Sequence, residues 1–206
     1  ANTKDPYTLS TKGLGPWREG TEAEPNDRYQ DATDLRLGQS MEGYFQTSGD
    51  EDWYKLVIDK PGKSEIQADL SAVPGVDVRF EITDKDRNQV WDASSASQGE
   101  PETVAHLVVT EGTYYVWVKG YQKNITDKYT LSSRLLGPWQ EGTEAEPNNE
   151  LKRAGEIRFN VPFTGRVNSR YDYDYYLLNV PDPAPDITVI RLSGVPGMAF
   201  KLDLLD

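Results

Sequence analysis

The chain contains no cysteine, which removes both a disulfide framework and any thiolate metal site. The absence is compatible with export, where a free thiol is a liability. There is one histidine, His106, so a Ser/His/Asp triad has a single residue to draw on, and no Gly-x-Ser-x-Gly elbow accompanies it. His106 alternates with Val104 and Val108 and reads as an ordinary sheet residue. Carboxylates are plentiful, but a glycosidase pair needs a cleft, and no feature of the sequence supplies one. No run of about 18 apolar residues occurs, so membrane insertion is not expected. A charged n-region with an apolar h-region is also missing, which places any signal peptide outside these 206 residues. Basic residues are the minority: 22 Lys and Arg stand against 34 Asp and Glu, a net charge of −12. That argues against nucleic acid and against a polybasic membrane contact. It leaves two readings of the acidity, solubility or cation binding.

What is present is a repeat. Tyr7–Asn26 reads YTLSTKGLGPWREGTEAEPN and Tyr129–Asn148 reads YTLSSRLLGPWQEGTEAEPN, an offset of 122 residues. A repeat of this length is a domain. The expected division is a tail strand of a preceding unit over 1–15, a complete unit over 16–136, and a linker with the first part of another unit over 137–206. Short alternating runs at Asp52–Ile58, Ser64–Leu70, Val76–Ile82, Gln89–Asp92, Thr103–Val109, Thr113–Lys119 and Lys128–Arg134 are separated by turn residues such as Pro61-Gly62 and Glu111-Gly112. The expected fold is all-β, with antiparallel, jelly-roll-like β-sandwich modules in tandem and the second truncated. Tyr54, Leu56 and Ile58 recur as Tyr176, Leu178 and Val180 and mark the core face. Asn26 or Asp27 is expected to cap a short turn through Arg28–Asp31, and Asn148 to do the same before Arg153. Trp17 and Trp139, each after Gly-Pro, suggest linkers that dock.

The acidic stretch Glu22-Ala23-Glu24-Pro25-Asn26-Asp27, with Asp50-Glu51-Asp52 ahead of the Trp53 strand, offers the hard oxygens calcium requires. It reads equally as a solvated acidic linker. The second copy presents Glu144, Glu146, Asn148, Asn149, Asp172 and Asp174. On Thr113–Tyr121, Tyr115, Trp117 and Tyr121 share the face opposite Tyr114, Val116 and Val118; they suit a ligand surface or simple cross-strand packing.

The string EAEPNDRYQDATDL, Gly43–Phe45, SGDEDWYKL, EGTYYVWVKGY and KYTLSS together resemble the bacterial pre-peptidase C-terminal domain. That family includes the collagen-binding domains of clostridial collagenases. The resemblance implies a β-sandwich that binds Ca²⁺ through Glu22, Glu24, Asn26, Asp27 and Asp52, and through Glu144, Glu146, Asn148, Asn149 and Asp174. Collagen-binding members carry a further loop Asp where this chain has Gly49 and Tyr171, with Asp50 and Asp172 one residue on. Their collagen-contacting tyrosine is Lys119 here. The expected role is non-catalytic: a calcium-rigidified spacer or accessory module of a secreted or cell-surface bacterial protein. Its partners are then neighbouring repeats of the same parent chain. The alternative is a targeting module that grips an extracellular polymer or protein for a secreted peptidase. The partial unit 142–206, with strands around Tyr175–Val180, Ile187–Leu192 and Phe200–Leu204, is not expected to be stable alone. It should borrow strands from another molecule, such as Asp5–Lys12, or pack against the first unit.

Overall fold

The computed structural model describes residues 10–11, 16–93, 97–167, 172–182 and 187–205. Most of the predicted tail strand Asp5–Lys12 lies outside them; Ser10 and Thr11 are exposed. The structure is all-β. Seven strands, β1 (Thr33–Leu35), β2 (Ser40–Phe45), β3 (Asp50–Leu70), β4 (Val78–Asp84), β5 (Gln89–Ala93), β6 (Glu102–Gly120) and β7 (Asn124–Pro138), are hydrogen-bonded together, six of them along one path in the order β2-β7-β3-β6-β4-β5. β1 adds in parallel to β3.

Two pairs of predicted strands are each continuous. β3 runs through Pro61-Gly62 and β6 through Glu111-Gly112, and their register shifts between Ile58 and Lys63. Gly62 takes a positive φ of 81° there, a bend that an L side chain resists. The bend carries both strands from one layer of a sandwich to the other. One layer holds β5, β4, the second half of β6, the first half of β3 and β1. The other holds the first half of β6, the second half of β3, β7 and β2. Tyr54, Leu56, Ile58, Phe80, Ile82, Val116 and Val118 from the first layer meet Ile66, Ala68, Leu70, Leu107, Val109 and Leu131 from the second in one buried cluster. Alternation with a period of two supplies that face in every strand.

Three local expectations need correction. His106 is not an ordinary strand residue: it has φ of 57° at a register shift between Ile66 and Ala68. That bulge moves the inward set from Val104 to Leu107 and Val109. Asn26 caps nothing. The 3-10 turn Tyr29–Asp31 starts after Arg28 without a side-chain cap, and Leu151–Arg153 starts likewise after Glu150. Asn26 and Asn148 are instead fully buried. Finally, Ile187–Leu192 and Phe200–Leu204 are not strands, and Ile190, Leu192, Phe200, Leu202 and Leu204 are exposed. Their counterparts in β3 and β4 are held by hydrogen bonds to β5, β6 and β7, and among the described residues no strand pairs with 187–192 or 200–204.

Local structure does recur at the 122-residue offset. β8 (Gly155–Ile157) pairs in parallel with β9 (Tyr176–Leu178), as β1 pairs with Tyr54–Leu56. The Glu24-Pro25 and Glu146-Pro147 peptides are both cis. Trp17 Nε1 donates to the Glu22 carbonyl at 3.2 Å, and Trp139 Nε1 to the Glu144 carbonyl at 2.9 Å.

Candidate metal centre

The entry segment Thr21–Asp27 lies beside the start of β2 and β3. Glu22 N donates to the Glu42 carbonyl, and Trp53 N donates to the Asn26 carbonyl. These bonds hold the acidic side chains over the end of the sandwich. Carboxylate oxygens of Glu24, Asp50 and Asp52 all fall within 4.8 Å of one another, with both aspartates buried. Asp50 thus joins the cluster although it stands one residue beyond Gly49. It is anchored by Gln46 N at 2.6 Å and Thr47 Oγ1 at 2.9 Å.

The amide of Asn26 sits in the middle. With its nitrogen turned inward it donates to Glu24 Oε2 at 2.8 Å and Asp52 Oδ1 at 3.0 Å. With its oxygen inward, the same position presents an amide oxygen and two carboxylates, an arrangement that a cation reconciles. Asp27 is exposed and acts on Glu24 through its charge. Glu22 borders the cluster, but its oxygens already accept from Tyr44 N at 2.9 Å and from the Tyr129 hydroxyl at 3.0 Å.

Tyr129 is the residue that sequence reasoning missed. Its hydroxyl lies 2.7 Å from Asp52 Oδ2, 3.0 Å from Glu22 Oε2 and 2.5 Å from the Tyr54 hydroxyl. If Tyr54 donates to Tyr129, the single Tyr129 proton serves one carboxylate. The other contact then requires a proton on the carboxyl group itself. Burial pushes Glu22 up to about 7 and Asp52 up to about 8, and the neighbouring carboxylates add to the Asp52 shift. Burial also raises Glu24, Tyr54 and Tyr129. The signal that could have found Tyr129 is its recurrence as Tyr7 in the repeated Tyr-Thr-Leu-Ser string.

The second acidic segment builds a similar group. Oxygens of Glu144, Glu146 and Asp174 lie within 4.8 Å of one another. Inward-turned, the Asn148 nitrogen donates to Glu146 Oε2 at 3.1 Å and Asp174 Oδ1 at 3.2 Å. Burial raises Glu144 to about 7 and Asp174 to about 6, the latter helped by Asp172. Asn149 Oδ1 accepts from Tyr173 N at 3.1 Å. Glu144, Glu146 and Asn148 are all buried, because this segment rests on the edges of the first sandwich. Val108 N of edge strand β6 donates to the Glu146 carbonyl at 3.1 Å. The Arg153 guanidinium donates to the Val90 carbonyl at 3.2 Å and the Gln89 carbonyl at 2.5 Å on edge strand β5. Trp139 N donates to the Lys63 carbonyl, and Lys63 Nζ stands 4.5 Å from the centre of the Trp139 ring.

Tyr115 and Trp117 lie on the outer face of the first layer, half-buried among other rings. Trp53 is 6.2 Å from Trp117, and Tyr29 packs edge-on against Tyr115 at 5.7 Å. Arg79 stacks over Trp117 at 5.6 Å, and Trp117 Nε1 donates to Glu51 at 3.2 Å. Tyr121 is exposed, with Lys119 Nζ 5.6 Å from its ring.

No family model and no curated protein matches the chain. Solved structures that resemble it include a pre-peptidase C-terminal domain of collagenase from Bacillus anthracis, at 16% identity and a TM-score of 0.40, covering 50% of this chain and 94% of that one. A periplasmic inhibitor of g-type lysozyme from Aeromonas hydrophila matches at 15% identity and 0.33, covering 50% and 96%. A β-glucosidase from Paenibacillus barengoltzii matches at 13% identity and 0.24, covering 58% of this chain and 14% of its own.

Proposed function

We propose that the chain is a non-catalytic, calcium-binding β-sandwich module of an exported bacterial protein, and that the ion stiffens the joint between neighbouring units. One observation carries this reading: a buried asparagine amide held between one buried and one exposed carboxylate, Asn26 between Asp52 and Glu24, and again Asn148 between Glu146 and Asp174. Glu24, Asn26, Asp50 and Asp52 supply the first site, with Asp27 and water completing the shell. Glu144, Glu146, Asn148 and Asp174 supply the second, with Asp172 and Asn149 beside it. Each site ties an entry segment to the β3-type strand. The second also ties that segment to the edges of the preceding sandwich, so charge neutralisation there stabilises the docked arrangement.

Terbium luminescence sensitised by the neighbouring tryptophans tests the reading. Terbium should bind, calcium should displace it, and Glu24→Ala should remove about half of the signal if the two sites sensitise it equally. Absence of sensitised emission at millimolar terbium contradicts it. A targeting module is the second reading, favoured only by the exposed Tyr121 beside Lys119. Retention on insoluble polymers that is lost in Tyr121→Ala would move the account toward it.

A further inference from the structure

The two copies of the repeated string are held in different ways. Trp17–Asn26 and Trp139–Asn148 differ in one residue, Arg18 against Gln140. Both carry the same internal bonds: Trp17 Nε1 to the Glu22 carbonyl and Trp139 Nε1 to the Glu144 carbonyl, then Asn26 N to Glu24 Oε2 and Asn148 N to Glu146 Oε2. The second copy rests on the edge of the sandwich, where Trp139 N donates to the Lys63 carbonyl and Val108 N donates to the Glu146 carbonyl. In the first copy Trp17 is 59% exposed and Glu24 is exposed, whereas Glu146 is buried. Backbone contacts cannot tell the copies apart, because each residue here offers the same N–H and carbonyl. A side chain that can do so closes the short 3-10 turn after each string: Arg153 in Leu151–Arg153, and Asp31 in Tyr29–Asp31. The Arg153 guanidinium donates to the Val90 and Gln89 carbonyls of β5. It is the basic group in a cleft that Gln89, Val90, Asp92, Asn149 and Glu150 also line. Glu150, whose counterpart is Arg28, turns instead to Lys152 at 2.7 Å. An aspartate in place of Arg153 would set a carboxylate against two carbonyls and beside Asp92, with no donor to offer.

We infer that Arg153 is a specificity-determining residue: it admits residues 139–153 to the edge of the sandwich, and Asp31 keeps the nearly identical string of a second copy of this chain off the same edge. Glu22 N and the Gly20 carbonyl are bonded to Glu42 of their own sandwich, so any exchange of the string is between copies. Trp17–Asn26 has the backbone groups that the edge contacts use. Without a charge difference beyond the string, one copy's segment would compete with another's, and the copies would link head-to-tail. Asp31 opposes that exchange and leaves every backbone contact unchanged. In its own place it accepts from Arg28 Nε at 2.8 Å. The inference rests on the docked joint proposed above and uses no bound ion.

Charge swaps in the full-length chain test it. Arg153→Asp should broaden the distance distribution between spin labels on the sandwich and beside the β8-β9 pair, while the near-ultraviolet spectrum of the sandwich is retained. It should not increase association. Arg153→Asp combined with Asp31→Arg should move the docked string to a neighbouring copy, raising the association constant read by sedimentation about tenfold over the native chain. An Arg153→Asp distribution as narrow as the native one would overturn the inference. A combined variant that sediments as the native chain does would also overturn it, because the edge would then not distinguish Arg from Asp at this position. Each variant is compared with the native chain in the same buffer, once with calcium and once with chelator. A native chain that does not respond to calcium counts against the ion and leaves this comparison intact.

Discussion

The hydroxyl of Tyr129 lies 2.7 Å from Asp52 Oδ2, so the last strand of the sandwich reaches the acidic cluster 77 residues upstream. The contact joins folding to ion chemistry. A chain whose β7 has not docked leaves Asp52 and Glu22 without their buried partner. Tyr129→Phe keeps the ring stacked 4.9 Å from Phe45 and removes only the bonds. The expected cost is about 1–3 kcal/mol in urea melts, the range for leaving buried acceptors unmatched. Part of it should return in calcium.

Gly43 makes that reach possible. Gly43→Ala places a methyl group 2.3 Å from the Tyr129 ring, and Gly120→Ala places one 2.3 Å from the Phe45 ring. Each should destabilise the first unit by about 2–4 kcal/mol, as overpacking of a close-packed core does. Thermal denaturation of both variants checks it.

The buried carboxylates give a signed pH response. Glu22, near 7, and Asp52, near 8, hold protons more tightly when folded than when unfolded. The folded state therefore binds more protons across this window, so without calcium these two groups contribute stability that is fully present below about pH 4 and is lost as pH rises toward 8. Calcium competes with those protons, so its affinity should rise over the same interval. Urea midpoints at three pH values, with chelator and with calcium, measure both slopes. An apo chain that becomes more stable between pH 5 and 8 would contradict the assignment.

The joint should respond to single contacts. Arg153→Ala removes the donor to two carbonyls of edge strand β5, and Trp139→Ser removes the ring beside Lys63. Either change should broaden the distance distribution between spin labels placed on the sandwich and beside the β8-β9 pair, and chelation should broaden it further. Labels whose distances stay narrow in both variants would assign the rigidity to the backbone of Gly137–Gly142.

The layers were legible in the sequence because period-two alternation at Tyr54, Leu56 and Ile58, or Tyr114, Val116 and Val118, marks a buried face directly. The corners were not. Pro61-Gly62 carries the same turn chemistry whether a strand ends or bends, and here β3 bends and continues. His106 defeated alternation because a bulge inserts a residue without any compositional mark. β1 was missed because Thr-Asp-Leu is too short and polar to show a pattern. Around the acidic cluster, Glu24, Asn26 and Asp52 could be read from spacing and resemblance. Asp50, one residue off the expected position, could be named as a substitute from sequence, and the loop brings its carboxylate within 4.8 Å of those of Glu24 and Asp52. Tyr129 needed the fold, since nothing local links it to residues 77 and 107 positions away.

Calcium calorimetry on the 206-residue chain, run beside melts in calcium and in EDTA, tests the central claim most directly. The account predicts binding with a Kd of roughly 10⁻⁴–10⁻³ M, typical of extracellular modules. At ten times Kd the stabilisation is about 1.4 kcal/mol, on the order of 4–8 °C for a domain of about 100 residues. Glu24→Ala should shrink the shift and Glu51→Ala should leave it. Coincident melts together with no heat of calcium binding would contradict the account.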